Sequence, residues 1–202
     1  MKKICIVYTH SKVGDLIWQV PYIESISKYH EEKITLITRE ETHAKSIMGD
    51  LNYVENIEYN TFRKGFLYWT DVLKLILFFF KNKFTHIYIL DKVNKPAIAA
   101  KVIGVKNIIG PGIGNQKLWL TNTKYLSKND YSSLNYSEQS KKFLKLNNIP
   151  IINMYPKLDI DLNRSDINLD IKKMEGKLIS FGIDSGEYFK MWYEEYFIEL
   201  AE

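Results

Sequence analysis

Apolar and polar positions along this chain fall into a repeating pattern, in which short unbroken apolar runs are followed by longer stretches with helical spacing. Ile4-Cys-Ile-Val-Tyr8 is the first such run, the pattern of a strand buried on both faces. It leads through Thr9-His-Ser-Lys-Val-Gly-Asp15 into a helix expected over residues 16–29. Gly14 is expected to permit a sharp turn there, with Asp15 at the helix start. Residues 33–38, 54–59, 86–91 and 107–110 read as four more strands. The intervening helices are expected over 40–48, capped by Gly49, over 66–81, and over the Ala-rich 95–103, ending at Gly104. Repeated β-α order implies an α/β fold, a mostly parallel sheet with helices on both faces.

Farther along the pattern loosens. Residues 111–131 carry Gly112, Gly114 and many Asn and Lys, and read as a loop with some local structure. Asn135 and Glu138 form a capping box for a helix reaching about Leu146. A polar stretch follows, after which 177–182 reads as a new strand and 192–201 as a new helix. The expected organisation is therefore a first domain over 1–150, a linker over 151–176, and one β-α unit of a second domain over 177–202. A single such unit cannot bury its own apolar faces. It must pack on the first domain or belong to an incomplete one.

Composition narrows this only a little. The 202 residues are 46% hydrophobic with a net charge of +4, ample for a sizeable core. The basic balance fits a polyanionic partner or an anionic membrane surface, although a general richness in Lys and Asn accounts for much of it. The lone cysteine, Cys5, lies inside the first strand, so no disulfide framework is possible within one chain and a reducing cytoplasm is the natural compartment. Met1-Lys-Lys and the short strand behind it lack the apolar length of a signal peptide. The longest apolar stretch, 66–80, falls short of the roughly 20 residues of a membrane span. It is expected to be a helix docked on a sheet. The sharper alternative has Phe78, Phe79 and Phe80, flanked by Lys81 and Lys83, dipping into a membrane surface.

The carboxylate of Asp15 is the leading chemical candidate, because open α/β sheets hold ligands at the carboxyl ends of their strands. The competing reading is an acid favoured simply by the free amides at a helix start. Gly110-Pro-Gly-Ile-Gly114 lacks dinucleotide-binding spacing and reads as a turn. His10, His30, His43 and His86 make no metal-ligand pattern with Cys5. Neither a metal nor another cofactor is expected, and the scattered lysines form no nucleic-acid motif. A flavodoxin-like nucleotide binder would need a phosphate loop after the first strand, where this chain has an acid.

Ser11-Lys-Val-Gly-Asp15-Leu-Ile with Pro21 resembles the opening of the heptosyltransferases, glycosyltransferase family nine. Tyr88-Ile-Leu-Asp91, the Ala-rich 97–105, Ile108-Ile-Gly110 and the helix at 137–149 resemble later family elements in the right order. So do Ile179-Ser-Phe-Gly182, Ser185, Lys190, Trp192, Glu195 and Phe197, with Tyr193 where the family has Pro. The resemblance implies a GT-B architecture: one Rossmann-like acceptor-side domain, here followed by only the start of an incomplete, Rossmann-like donor domain.

Its implied activity is inverting, metal-independent transfer of a sugar, heptose by default, from a nucleotide-diphosphate donor to an anionic lipopolysaccharide-type glycolipid acceptor. The implied place is the cytoplasmic side of a bacterial inner membrane, with peripheral membrane contact and a separate chain supplying the missing domain. Asp15 matches the family's general base. Ser185 and Lys190 match its donor-diphosphate contacts, against the plain reading of Lys190 as a solvated lysine. Ser11, Lys12, Asp91 and Lys95 are the acceptor-side candidates, Lys95 competing with an exposed lysine beside Pro96. The alternative to an enzyme is a non-enzymatic saccharide- or partner-binding remnant.

Overall fold

The computed structural model describes residues 2–158. Five strands, β1 (Ile4–Val7), β2 (Ile34–Thr38), β3 (Val54–Tyr59), β4 (His86–Ile89) and β5 (Asn107–Ile109), form one sheet. All pair parallel in the order β3-β2-β1-β4-β5. β1 sits in the centre because it is apolar on both faces. Ile4, Ile6 and Tyr8 point into one core and Cys5 and Val7 into the other, all buried.

The first face carries α1 (Val13–Ile17), α2 (Val20–His30), α3 (Ala44–Met48) and α7 (Tyr136–Leu146). Leu16, Ile23, Ile26, Met48, Phe143 and Leu144 close that core. The second face carries α4 (Tyr68–Asn82) and α5 (Lys95–Val102), through Val72, Leu75, Phe79 and Ala97 to Ala100. Each fully buried aliphatic or Phe side chain contributes about 1.5–3 kcal/mol of transfer free energy. The chain turns from one face to the other between β3 and β4. The order of strands therefore reverses at β1 and β4, the switch point at which such sheets open a crevice.

Several local expectations are corrected. The helix expected over 16–29 is two helices with a break at Trp18-Gln19. Pro21, at the second helix's start, has no N–H to donate to the carbonyl four residues back and its ring crowds that group. Gly14 lies inside α1 without a positive φ, so no sharp turn requires it; a Cβ there would meet open space. The helix expected over 40–48 is a 3-10 turn at Glu40–Thr42 and the short α3, divided by His43 at a φ of 50°; Gly49 after it is not left-handed. The loop at 111–131 contains a 3-10 turn (Gly114–Leu118) and the start of α6 (Lys128–Ser133), whose cap is a Ser127–Asp130 box. The strand and helix expected beyond residue 176 lie outside the described residues.

Candidate functional site

The crevice at the switch point is built on the turn after β1. Thr9 is held there from both neighbouring strands. The Asp91 carboxylate, just past β4, accepts a hydrogen bond from the Thr9 amide at 2.7 Å and another from the Val93 amide at 3.0 Å. Arg39, just past β2, donates from Nε to the Thr9 carbonyl at 2.5 Å and from Nη2 to the Phe62 carbonyl at 3.1 Å. Gln116 secures the β4 end in turn, donating to the carbonyls of Asp91 and Val93 and accepting from the Gly112 amide. The turn that carries Ser11, Lys12 and Asp15 thus starts from a pinned residue.

Beyond Thr9 the chain emerges. Ser11 and Lys12 are exposed and Asp15 is half-buried in the first turn of α1. Asp15 lines a cavity of about 400 Å³ with Trp18 and the segment Asn135 to Glu138 at the start of α7. That segment is placed by its own capping box, Asn135 Oδ1 accepting from the Glu138 amide at 2.9 Å. It is also tied to α2 by two short contacts, Tyr22 Oη to Ser137 Oγ at 2.7 Å and Ser140 Oγ donating to Gln19 Oε1 at 2.5 Å. The break between α1 and α2 puts Gln19 where it can make the second contact.

Aromatic rings surround the two acids. His10 stacks between Tyr8 and Tyr136, its ring centre 5.3 Å and 4.3 Å from theirs. Burial, with the charges of Asp15 and Asp91 nearby, pushes the Tyr8 phenol well above its ordinary range. Its hydroxyl is buried and finds no hydrogen-bond partner among the described residues. Tyr131 is pushed up to about 12 by burial and then by Asp91 and Tyr136, and the Lys92 ammonium stands 5.4 Å over its ring. A concave site with an exposed Trp18, a part-exposed Tyr136, a carboxylate and hydroxyls offers both apolar faces and hydrogen bonds to a polyhydroxylated ligand.

The structure brings Ser11, Lys12 and Asp15 to one turn and places Asp91 behind it, with both carboxylate oxygens taking backbone amides. Lys95 is elsewhere. It is 2% exposed on the opposite face of the sheet, so the expectation of an accessible lysine is corrected. Its ammonium donates to Asp71 Oδ2 at 2.7 Å and to the Arg63 carbonyl, and stands 4.7 Å over the Tyr68 ring. Burial alone would raise the Asp71 carboxyl, but hydrogen bonds from Arg63, Lys95 and Thr61 hold it well below the usual range. Ser185 and Lys190 lie outside the described residues.

Sequence reading missed Arg39, Gln116, His10, Trp18 and Tyr136. For Arg39 a signal existed, a lone Arg directly after a buried strand. His10 and Trp18 flank the Ser11–Asp15 stretch itself, whereas Gln116 and Tyr136 are brought in from segments far along the chain. A larger cavity of about 820 Å³ opens beside β2, β3 and α4, lined among others by Glu40, Glu41, Glu58 and Lys74. Size does not make it the better candidate: Arg39 lies on its wall, but none of Ser11, Lys12 and Asp15 does, and Glu40, Glu41 and Glu58 make it rich in carboxylates. No group of three metal-ligating acids, His or Cys occurs among the described residues.

The sheet order and the two helical layers define an α/β fold shared with glycosyltransferases of the GT-B type. Among solved structures, the chain is similar to a glycosyl transferase family 9 protein from Veillonella parvula (16% identity, TM-score 0.68), covering 99% of this chain and 59% of that one. It is similar also to E. coli ADP-heptose LPS heptosyltransferase II (14% identity, TM-score 0.59), covering 79% of this chain and 47% of that one. E. coli heptosyltransferase WaaC with ADP (11% identity, TM-score 0.55) covers 77% of this chain, which spans 50% of its length. The chain therefore spans about half to three-fifths of these proteins. No protein-family model and no curated protein sequence matches it.

Proposed function

We propose that this chain is the acceptor-side part of a glycosyltransferase that moves a sugar from a nucleotide-diphosphate donor to a saccharide acceptor of the lipopolysaccharide type. The observation that carries the reading is Asp15: a carboxylate at the switch point, on a turn pinned by Asp91 and Arg39, beside an aromatic-lined cavity. The fold shared with heptosyltransferases supports it and makes heptose the default sugar.

In this reading an acceptor hydroxyl lies against Asp15, with sugar rings on Trp18 and Tyr136. Asp15 takes the hydroxyl proton as the oxygen attacks the anomeric carbon from the face opposite the leaving diphosphate, inverting that centre. A base of this kind is worth about 10²–10⁴-fold in rate. Ser11 and Lys12 are the acceptor's polar contacts. Ser185 and Lys190 are the proposed donor contacts, a hydroxyl and an ammonium suited to a diphosphate. No step calls on a metal, and the work is done at the cytoplasmic face of the inner membrane. Residues 1–150 form the acceptor domain, 151–176 the linker and 177–202 the opening unit of a donor domain.

The test pairs calorimetric titration of the chain with inner-core saccharide and a transfer assay using ADP-heptose, for the parent and Asp15→Asn. The reading expects saccharide binding by both and transfer, with a completing donor domain supplied, only by the parent. Turnover unchanged by Asp15→Asn would reduce Asp15 to a helix-start acid. Saccharide binding with no transfer under any completion would favour the non-enzymatic binding remnant.

A further inference from the structure

Helix α4 is apolar on two sides. Val72, Leu75 and Phe79 are buried against the sheet. On the other side Trp69, Leu73, Leu77 and Phe80 are 66%, 56%, 62% and 71% exposed, and Phe66 on the preceding turn is 95% exposed. At 3.6 residues per turn, Trp69, Leu73, Leu77 and Phe80 fall within about a quarter turn of one another. They form one stripe. The aromatic run singled out in the sequence is split by the helix: Phe79 is buried, Phe78 half-buried, and only Phe80 joins the stripe.

Charge says what could cover this stripe. Residues 63–107 hold nine Lys and Arg against two Asp, an excess greater than that of the whole chain. Both acids, Asp71 and Asp91, are buried. Around the stripe Lys64, Lys74, Lys81 and Lys83 are exposed, and Lys101 and Lys106 are exposed on and after the neighbouring α5. A second copy docked here about a two-fold axis would set these lysines against their own counterparts, which is repulsive. The carboxylates beside α4, Glu40, Glu41 and Glu58, share a cavity with Lys74 and the half-buried Phe78, not with the stripe. A bulky apolar stripe with Trp and Phe, in a segment whose exposed charges are all basic, suits the boundary of an anionic bilayer. The helix has 15 residues, and no helix among the described residues is long and apolar enough to cross a membrane.

We infer that the outer face of α4 docks this protein onto an anionic phospholipid surface, Phe66, Trp69, Leu73, Leu77 and Phe80 entering the interface and the surrounding lysines meeting the headgroups. The amino end of α4 stands at the carboxyl edge of the sheet, as the hydrogen bonds from Thr61 and Arg63 just past β3 to Asp71 require. That is the edge at which Asp15 lies. The lipid contact stands on α4 alone; only its use, bringing a lipid-borne acceptor to that edge, rests on the proposed function.

Vesicle flotation of the whole chain tests this, with vesicles of phosphatidylcholine alone and of phosphatidylcholine mixed with phosphatidylglycerol. Binding is expected to the anionic vesicles and to weaken with salt. The exposed pair Leu73→Ser/Leu77→Ser should lower the partition coefficient by more than about tenfold. Lys74→Gln and Lys81→Gln should each lower it on the order of fivefold, all with unchanged circular dichroism. Asp15→Asn should float like the parent, which separates this result from any failure of the transfer reading. No binding to anionic vesicles, equal binding to both compositions, or binding indifferent to these substitutions would each overturn the inference. So would a dimer, dissolved by Leu73→Ser/Leu77→Ser, in a chain that ignores vesicles.

Discussion

Replacing Lys95 by Met separates the two roles this residue could have, because it removes the ammonium and keeps the length of the side chain. In the folded protein the Lys95 side chain is 3% exposed and its ammonium pairs with a fully buried Asp71 at 2.7 Å. Removing one member of a buried ion pair ordinarily costs about 3–5 kcal/mol, since the other charge is left behind. Here Asp71 keeps Arg63 Nη2 at 2.6 Å, the Arg63 amide at 2.7 Å and Thr61 Oγ1 at 3.0 Å. The expected loss is therefore smaller, about 2–3 kcal/mol, of which the orphaned Arg63 carbonyl is part. For a chain of this length that lowers Tm by about 5–10 °C.

Urea denaturation of Lys95→Met, Asp71→Asn and the double variant measures it. The double variant should cost less than the sum of the singles by about 1 kcal/mol or more, because the second substitution removes a charge already stranded by the first. Saccharide affinity of the folded Lys95→Met protein should match the parent. A stability unchanged within about 0.5 kcal/mol, or strictly additive singles, would refute the buried-pair argument. Lost saccharide binding at full stability would return Lys95 to the acceptor site.

Two further outcomes concern stability. His30 is buried with Nε2 on Tyr88 Oη at 2.7 Å, and burial, with His86 and Lys2 nearby, lowers it to about 4. The unfolded chain binds its proton nearer pH 6.5, so this contribution is complete above about 6.5 and is lost as pH falls toward 4, a loss of about 3 kcal/mol at most. Urea midpoints taken from pH 7 to 4.5 should fall more steeply for the parent than for His30→Gln; parallel curves would show that His30 does not titrate this way. At Gly112, φ is 72° and an added Cβ would lie 2.1 Å from Tyr125 Cδ1, whereas at Gly114, φ is 61° with open space around it. Gly114→Ala should therefore cost about 1–2 kcal/mol of left-handed strain and Gly112→Ala clearly more, read by thermal melts; equal costs would mean that Tyr125 swings clear.

What was legible in the sequence was what short-range pattern controls. A strand buried on both faces is a continuous apolar run wherever it pairs, so β1, β2 and β4 announce themselves. The Asn135–Glu138 box marks a helix start because both partners lie within one turn. The Ser127–Asp130 box carried the same signal and was lost in a Lys- and Asn-rich stretch. The break before Pro21 was also visible in principle, since Pro inside a helical pattern interrupts it. Other features were beyond local pattern. Asp71 and Lys95 lie 24 residues apart, Arg39 and Thr9 30 apart, and nothing near either residue encodes the partner. A lysine in an Ala-rich helix reads as surface until the acid that neutralises it is known to lie across the layer. The stripe on α4 was half legible: its composition showed, but which aromatics it exposes depends on the helical phase set by the sheet.

The carboxyl edge of the sheet divides its polar residues by direction, and this changes how motif matches there translate into chemistry. Side chains that leave β2 and β4 at their ends reach inward to the Thr9 backbone: Arg39 to its carbonyl, Asp91 to its amide. Each is a charged group bonding to a partly buried peptide, an arrangement that fixes position because the alternatives leave a charge or an amide without a partner. Side chains that follow Thr9 then point away, with Ser11 and Lys12 exposed and Asp15 on the cavity wall. A carboxylate at a strand end can thus resemble a ligand contact in sequence while its oxygens are already occupied by amides, as those of Asp91 are. Aspartate suits that position because a short acceptor-only side chain can take two amides at once. Asp15 instead lines the open cavity, and among the described residues no hydrogen bond or ion pair occupies its carboxylate. In the proposed enzyme, Asp91 and Arg39 act through the turn as positioning residues, and Asp15 is the acid left to meet the acceptor.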